Sequence, residues 1–412
     1  MSYLIRSLTP LLILFLASCG GNDNKGIIVV FPQVEGPVQI TEGSREHFFA
    51  SYYGINSFDA TERYVTVLET DIKNKLPDEN DPATLGLVDL KTNTFIPITE
   101  TRAWNFQQGC MAHWLGTSPD SLIIYNDFRD NTYVSVIMNV HTRKEIRTLP
   151  YPVSAVSADG KKALSINFAR LRLTRPDYGY GGRGQDPREN TPLPYDDGLF
   201  IIDIETGVSK LLVSFQDVKE LIPPISEGSI AWFNHTLFSR EGSKIFWLSR
   251  QMDNKTRVTT SLTVNSDGKN LRRCFPDNWG GSHYDWLNDD ELMITANWEG
   301  KQYAHVLFTV GEQDYKRLGN GILDYDGHGT FSPDRKWMIT DTYPGGGMRE
   351  QKIYLTDMKT EAVLPLGRYV QPPEFNGHWR CDIHCRWSPG GKMVGFNSTH
   401  TGSRQAYIFR FK

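Results

Sequence analysis

The chain has 412 residues, a formal net charge of −4 and an aromatic content of 12%. This near-neutral charge argues against nucleic-acid binding, which needs a basic surface. Five cysteines are too few for a disulfide framework in a chain of this length, although one pair is open to oxidation. The aromatic content is typical of proteins that stack on sugar rings.

The first 18 residues have the pattern of a bacterial lipoprotein signal. Arg6 precedes an apolar run at 11–17, and small residues lead into Cys19. This run is too short to span a membrane and is typical of a secretion signal. We expect lipidation of Cys19, a polar tether over 19–36, and a lipid-anchored protein in the bacterial periplasm or on the outer-membrane surface. The alternative is an ordinary cleaved signal in which Cys19 is incidental.

The remainder, 37–412, predicts an all-β fold built from repeats. Short runs of β-branched and aromatic residues alternate with turns rich in Gly, Asp, Asn and Pro, and no long segment has helical periodicity. Turns of one type recur about every 40–60 residues, and they lie at 57–62, 117–120, 157–160, 239–242, 288–290, 332–334 and 388–391. Seven such units indicate a monomeric seven-bladed β-propeller, because no repeat buries its core alone.

Polar residues precede the inner strands of the first two predicted blades. We predict His47 as a catalytic residue, although it lies beside an aromatic run where packing is an equally good explanation. A denser cluster precedes the second blade, and its residue types are poor structural choices unless something polar is bound. We predict substrate binding by Arg102, Trp104, Asn105 and Gln108, and a catalytic role for Gln107.

A long insertion follows the second strand of the third unit, at 168–198. Glycine and proline mark it as a loop, and it carries five arginines and three tyrosines. Because of its position in the repeat, we expect it to cover the face on which the inner strands begin. Basic and aromatic side chains suit an acidic sugar, and we predict catalytic or carboxylate-holding roles for Arg170, Arg175, Tyr178 and Tyr180. The alternative is a mobile surface loop.

Four histidines share one position in the second half of the chain. Each lies three residues before an aromatic residue, which is followed by the repeated turn: His235, His283, His328 and His384. The chain has 10 histidines, so four at one register of a repeat point to a shared role. Imidazoles that converge on a propeller axis can hold Mn, Zn or Fe. The alternative is a channel closed by histidines that bond to one another and to water.

Two further groups carry weaker predictions. Cys381 and Cys385 flank the last of these histidines, and we expect buried thiols rather than ligands. Several polar residues fall on predicted loops between second and third strands, and each is expected to be a solvated loop residue: Asp127, Arg129, Arg250, Trp298, Tyr343, His400 and Arg404.

The repeated turns and the phrases around the histidines resemble those of propeller enzymes that degrade polysaccharides. The phrases are at 47–53, 234–239 and 326–334. They are similar in kind to oligogalacturonate lyases, ulvan lyases and the rhamnosyl-glucuronate-cleaving propellers, and the turns also resemble Tol-type propellers. The first resemblance implies a histidine-rich manganese site, although the Gln-x-x-His-x-His ligand spacing does not occur here. The ulvan-lyase type implies two early-blade histidines with a Tyr and an Arg, with His47 as the first and Gln107 or Gln108 in the region of the second.

These observations predict a lyase that cleaves uronate-containing oligosaccharides by β-elimination. The reaction needs neutralisation of the uronate carboxylate, removal of the α-proton and protonation of the leaving oxygen. His, Arg and Tyr supply these functions, and no conspicuous carboxylate pair for glycoside hydrolysis is present. The alternatives are a non-catalytic glycan-binding or scaffold lipoprotein and a rhamnosidase-type glycosidase that uses a single histidine.

Overall fold

Seven four-stranded antiparallel sheets make up the described part of the chain, which confirms the predicted seven-bladed propeller. The computed structural model describes residues 29–52, 55–181, 186–253, 255–276 and 279–412. The predicted signal segment and the lipidation site Cys19 lie outside these residues. Among the residues described, no helix is long and apolar enough to cross a membrane.

The first three blades run in chain order from the inner to the outer strand. Blade 1 has β2 (Glu46–Phe49), β3 (Tyr64–Thr70), β4 (Ala83–Asp89) and β5 (Thr94–Thr101). Blade 2 has β6 (His113–Trp114), β7 (Leu122–Arg129), β8 (Thr132–Asn139) and β9 (Lys144–Leu149). Blade 3 has β10 (Ala155–Val156), β11 (Lys162–Ser165), β12 (Gly198–Asp203) and β13 (Ser209–Ser214).

The next three blades repeat this order. Blade 4 has β14 (Trp232–Phe238), β15 (Lys244–Asp253), β16 (Thr256–Asn265) and β17 (Arg272–Arg273). Blade 5 has β18 (Tyr284–Trp286), β19 (Glu291–Trp298), β20 (Gln302–Thr309) and β21 (Tyr315–Arg317). Blade 6 has β22 (Gly329–Phe331), β23 (Trp337–Asp341), β24 (Glu350–Asp357) and β25 (Val363–Val370).

Blade 7 joins the two ends of the described chain. It has β26 (Arg386–Trp387), β27 (Met393–Ser398) and β28 (Gln405–Phe411), and its outer strand is β1 (Val34–Gln39) from the N-terminal side. The hydrogen bonds between β1 and β28 join the two ends of the described chain and close the ring. Three residues of β1, 34–36, lie within the segment that the sequence predicted as tether.

Within the described ranges, helical structure is confined to short segments between strands. The insertion begins with α1 (Phe168–Thr174), and 3₁₀ turns lie at Lys219–Leu221 and Gly377–Trp379. The sequence predicted a loop over the whole insertion, and α1 corrects this for its first seven residues. The helix forms because the Asn167 side chain caps it, accepting a hydrogen bond from the Arg170 N–H, and because Phe168 and Leu171 are buried beneath it.

Apolar side chains fill the spaces between neighbouring blades. The aromatic residues of the repeated motif are buried there: Phe238, Trp286, Phe331 and Trp387. They also tie blades together, since the Trp387 indole N–H donates to the Thr330 carbonyl at 3.2 Å. The residue three positions before this aromatic is the one at which the sequence analysis placed the four histidines.

The backbone at this earlier position is left-handed in three blades. The φ angles are +51° at Met111, +58° at His235 and +50° at His384. In β14 the ladder is interrupted between Asn234 and Leu237, where a bulge places His235. A non-glycine residue in this conformation is strained, and such strain persists only where surrounding contacts hold it.

Candidate functional site

The ring nitrogens of three histidines meet near the propeller axis. His328 Nε2 lies 2.8 Å from His384 Nε2. The Tyr343 hydroxyl lies 3.0 Å from His283 Nε2 and 3.5 Å from His328 Nε2. All three imidazoles are buried. Three of the four histidines that the sequence singled out therefore contact one another or a shared hydroxyl.

Carboxylates hold two of these rings by the opposite nitrogen. Asp341, at the end of β23, lies 2.8 Å from His328 Nδ1 and accepts the backbone N–H groups of His328 and His384. Asp326 lies 2.9 Å from His283 Nδ1. A carboxylate at Nδ1 keeps the proton there and directs the Nε2 lone pair away from it, toward the axis.

One group of donors is close enough to bind a single metal ion. The ligand atoms of His328, Asp382 and His384 lie within 4.8 Å of one another, and all three side chains are buried. Burial lowers the pKa values of His328 and His384 well below the ordinary range, so both imidazoles are neutral, as a ligand must be. This donor set of two imidazoles and one carboxylate fits a divalent transition metal.

The predicted metal residues divide between this group and its surroundings. His328 and His384 belong to the group, whereas His235 and His283 lie outside it. His235 stacks on the Tyr52 ring at 5.1 Å, and that ring meets the His384 ring edge-on at 4.8 Å. Asp382 was not predicted, although it lies two residues before His384, the spacing at which side chains of extended backbone share a side.

A polar cleft of about 380 Å³ opens beside the histidines. Four arginines line it: Arg175, Arg250, Arg257 and Arg380. We call it the arginine cleft, and its other lining residues are Tyr178, His235, Ser282, His283, Asp326 and Tyr343. Four guanidinium groups around one space favour an anionic ligand.

Arg250 is the arginine with the least compensated charge. Arg250 is 3% exposed, and its Nε donates to Thr259 Oγ1 at 3.1 Å. It forms no ion pair with any residue that the structure describes. Burial, followed by the neighbouring charges of Arg175 and Arg257, lowers the pKa of Arg250 to about 9. A buried, unpaired guanidinium is costly, and a bound carboxylate would remove that cost.

Arg380 and Arg175 are held by carboxylates of the protein itself. Arg380 pairs with Asp382 at 3.0 Å and with Asp177 at 3.2 Å, and it donates to the Tyr178 hydroxyl at 3.1 Å. Arg175 pairs with Asp177 at 3.2 Å and lies over the Tyr178 ring. Because Asp382 also belongs to the metal-binding group, Arg380 links that group to the wall of the cleft.

The insertion reaches the face that carries the histidines, but only two of its four predicted site residues line the cleft there. Arg175 and Tyr178 line the arginine cleft, whereas Arg170 and Tyr180 lie outside its lining. Tyr180 is buried and bonds to Asn126 through its hydroxyl at 2.8 Å. Arg183 of the insertion falls outside the described residues.

Arg170 fastens the insertion to the propeller. It is 1% exposed, pairs with the buried Asp186 at 2.8 Å, and donates through Nε to the Ala231 carbonyl at 2.6 Å. These contacts occupy the guanidinium group of Arg170, which the sequence analysis predicted to bind the substrate carboxylate. Arg170 and Tyr180 thus occupy anchoring positions in this structure.

Replacing Arg170 by methionine is expected to destabilise the protein by about 3–5 kcal/mol, because it leaves the Asp186 carboxylate buried without its partner. Denaturant unfolding measures this loss, and limited proteolysis within 168–198 reports loosening of the insertion. Arg172→Met is the matched control, since Arg172 lies on the same helix and donates to the Pro176 carbonyl at 2.9 Å. Equal stability of the two variants would contradict the anchoring role.

The early-blade residues lie behind the cleft or away from it. The amides of Asn105 and Gln107 donate to the Tyr178 carbonyl at 2.9 Å and the Arg380 carbonyl at 3.1 Å, so they position residues of the cleft. The Gln108 amide lies 3.5 Å from His235 Nδ1.

The other early-blade candidates make contacts of their own. His47 pairs with Glu69 at 3.2 Å. The Trp104 indole is buried and donates to the Asp81 carbonyl at 2.7 Å. The Arg102 residue is exposed, and its backbone N–H donates to Asp127 at 3.1 Å. None of these three lines the arginine cleft.

Several residues of the site were missed or undervalued by the sequence analysis. Arg250 and Tyr343 were recognised only as loop positions expected to be solvated, and both line the cleft. Five more were not recognised at all: Arg257, Asp326, Asp341, Arg380 and Asp382. Asp326 carries the one usable indication, because it lies two residues before a motif histidine just as Asp382 does. Cys381 and Cys385 are buried free thiols, as predicted.

Fold comparison places this protein among β-propellers with known structures. No family model matches the sequence, and no curated protein matches it. An oligogalacturonate lyase from Vibrio parahaemolyticus is similar with a TM-score of 0.65 and 13% identity, covering 92% of this chain and 98% of that one. An oligogalacturonate lyase in complex with manganese is similar with a TM-score of 0.66 and 15% identity, covering 92% and 93%. A puromycin-hydrolysing peptidase from Mycobacterium tuberculosis is more distant, with a TM-score of 0.51, 12% identity and coverage of 85% and 52%. At such identities the likeness shows the fold alone.

Proposed function

We propose that the arginine cleft binds the carboxylate of a uronate sugar and that the protein cleaves the neighbouring glycosidic bond by β-elimination. The observation that carries this proposal is Arg250, a buried guanidinium without an ion pair among the described residues, beside a cluster of buried histidines. The resemblance in fold to oligogalacturonate lyases supports the same reaction. The substrate class is an acidic oligosaccharide.

Arg250 and Arg257 are the groups best suited to hold the substrate carboxylate. Arg175 and Arg380 already pair with protein carboxylates, so their positive charge is largely neutralised. The planar fork of a guanidinium matches the two oxygens of a carboxylate. Such a contact neutralises the sugar carboxylate and makes the adjacent C–H more acidic.

We propose that His328, Asp382 and His384 hold a divalent metal, with manganese favoured because a lyase of similar fold binds it. Zinc and iron suit the same donors. When bound, such an ion acts as a Lewis acid on the carboxylate and stabilises the charge that develops as the α-proton leaves.

His283 is the residue best placed to remove the proton. Its Nδ1 lies 2.9 Å from the Asp326 carboxylate, which keeps the proton on that nitrogen and leaves Nε2 as the base. Both residues line the arginine cleft. The base takes the proton from the carbon next to the carboxylate, and that electron pair forms the carbon–carbon double bond as the bond to the leaving oxygen breaks.

Tyr343 is the matching proton donor. Its hydroxyl lies 3.0 Å from His283 Nε2, and burial raises the pKa of Tyr343 well above its ordinary value, so the phenol stays protonated. It gives its proton to the leaving oxygen, and the proton on His283 then returns to Tyr343 across the hydrogen bond. This elimination consumes no water, and its products are an unsaturated uronate and a shortened sugar chain.

We propose that the protein works while anchored to a membrane by a lipid on Cys19, in the periplasm or on the outer-membrane surface. The support is the signal-like N-terminal sequence and its small residues before Cys19. A tethered monomer would meet oligosaccharides as they enter the cell envelope.

Incubation with oligogalacturonates tests the reaction, because unsaturated uronates absorb in the ultraviolet. A rise in absorbance is the expected result. New reducing ends without absorbance would point to hydrolysis instead, and neither change would leave a glycan-binding protein as the better conclusion.

Arg250→Met is expected to weaken binding of digalacturonate about thirtyfold, because it removes about 2 kcal/mol of charge-assisted hydrogen bonding. Isothermal titration calorimetry measures the affinity. Arg368→Met is the matched control, since the Arg368 side chain is 70% exposed on an outer strand. Equal affinity of the two variants would rule out Arg250 as the carboxylate-binding group.

A further inference from the structure

A second cleft adjoins the arginine cleft on the same face of the propeller. It has a volume of about 200 Å³. We call it the Trp379 cleft, and it is lined by Glu46, Lys73, Asn74, Phe106, Glu374, Phe375, Trp379, Gly402 and Arg404. Trp379 lines this cleft and the next residue, Arg380, lines the arginine cleft, so the backbone at 379–380 forms the partition between them.

Hydrogen bonds to two backbone carbonyls hold this partition in place. The buried guanidinium of Arg404 donates to the Trp379 carbonyl at 2.7 Å, and the Gln107 amide donates to the Arg380 carbonyl at 3.1 Å. A ligand in either cleft therefore meets a wall of fixed geometry.

The Trp379 cleft offers aromatic rings together with buried polar atoms that are ion-paired but form no hydrogen bond among the described residues. Phe106 and Phe375 are buried and Trp379 is half-buried. Glu46 is 2% exposed, and its Oε1 accepts no hydrogen bond within the described part of the chain, with Lys73 Nζ 3.4 Å away. Arg404 Nε also lacks a hydrogen-bond partner there and lies 3.6 Å from Glu46 Oε2.

Such atoms define what the ligand must supply. A buried acceptor and a buried donor without hydrogen bonds are costly, and a hydroxyl satisfies either because it both donates and accepts. Aromatic walls favour a ligand with an apolar face. A sugar ring combines that face with hydroxyls at its edge.

The charges of the Trp379 cleft select against a second uronate. Two acidic residues, Glu46 and Glu374, balance two basic ones, Lys73 and Arg404. Four arginines line the neighbouring cleft instead. A carboxylate would meet the Glu46 carboxylate without a free guanidinium to compensate, because Arg404 is already placed against that glutamate.

We propose that the Trp379 cleft is a subsite for a neutral, hydroxyl-rich sugar residue of the same oligosaccharide whose uronate occupies the arginine cleft. This inference rests on the proposed function and deepens it, since it defines a substrate of mixed composition. The preferred substrate then joins a uronate to a neutral sugar and is not a chain of uronates alone.

Calorimetry with four probes tests the subsite: galacturonate, trigalacturonate, and two trisaccharides that carry galactose in place of galacturonate at one end or the other. We expect one mixed trisaccharide to bind about tenfold more tightly than trigalacturonate, because its galactose brings no carboxylate next to Glu46. Trp379→Ala should weaken binding of that trisaccharide, because it removes the aromatic wall, and leave the affinity for galacturonate unchanged. Tyr195→Ala, at a tyrosine that is 76% exposed, is the matched control.

Glu46→Gln tests the charge argument separately. The amide keeps an acceptor at this position and removes the negative charge, so affinity for trigalacturonate should rise severalfold. Thermal unfolding checks that the variant is folded, because Glu46 accepts the Arg404 backbone N–H at 3.1 Å. Equal affinities for all three trisaccharides, unchanged by Trp379→Ala, would overturn the subsite.

Failure of the proposed function has a different signature. In that case neither galacturonate nor any trisaccharide binds through Arg250, and methyl galactoside becomes the deciding probe. Quenching of tryptophan fluorescence by methyl galactoside that disappears in Trp379→Ala would keep the neutral-sugar subsite. Absence of quenching in the unmodified protein would reject it.

Discussion

Replacing His283 by glutamine is expected to lower kcat for uronate elimination about 10²–10⁴-fold, because it removes the proposed base. Glutamine retains a polar group beside Tyr343 and Asp326, so binding and folding should change little. The loss therefore appears in kcat, with KM nearly constant. Ultraviolet absorbance of the product measures the rate, and calorimetry with digalacturonate confirms that the variant still binds.

His47→Gln is the competing variant for this experiment. The sequence predicted a catalytic role for His47, whereas the structure pairs it with Glu69 at 3.2 Å outside the arginine cleft. We expect His47→Gln to keep most of its activity. An inactive His47 variant together with an active His283 variant would contradict the assignment of the base and return it to the first blade.

Replacing both His328 and His384 by alanine is expected to abolish metal binding. The unmodified protein should retain about one divalent ion per chain after mild purification, because three buried donors converge on one point. Elemental analysis of the two proteins is the measurement. A second readout is the stabilisation of the folded state by manganese in thermal unfolding, which should be lost in the double variant.

Asp341→Asn is a milder test of the same metal site. Asp341 is not in the metal-binding group, but it accepts hydrogen bonds from the ring and backbone of His328 and from the backbone of His384. Its loss should weaken metal affinity about 10–100-fold without abolishing binding. Retention of full affinity by Asp341→Asn, or of the ion by the double histidine variant, would count against this centre.

The propeller fold could be predicted from the sequence because the features that specify each blade are local and recur along the chain. Each blade needs the same turn, the same alternation of apolar residues and the same buried aromatic, and these recur along the chain. The histidine register follows from the same repeat, since His283, His328 and His384 precede an aromatic whose packing is fixed. A periodic feature of this kind can be interpreted from the sequence without knowledge of the tertiary contacts.

The insertion shows where composition misleads. Arginines that line a cleft and arginines that anchor a segment look alike in a sequence. Only the folded structure separates Arg175, which lines the arginine cleft, from Arg170, which pairs with the buried Asp186. The helix α1 escaped prediction for a related reason, because its cap and two buried side chains matter more than the glycine and proline that follow.

By itself, then, the sequence determined the propeller, the number of its blades and the convergence of histidines on one face. The tertiary structure alone decided which donors form the metal-binding group and which arginine of the cleft is buried without an ion pair. The physical reason is distance along the chain: Asp341 contacts His384 from 43 residues away, and His328 meets His384 from 56 residues away. Arg250 is unpaired only because folding buries it beside other arginines and no carboxylate of the described chain reaches it. Such relations between blades have no local pattern, so they exist only once the ring has closed.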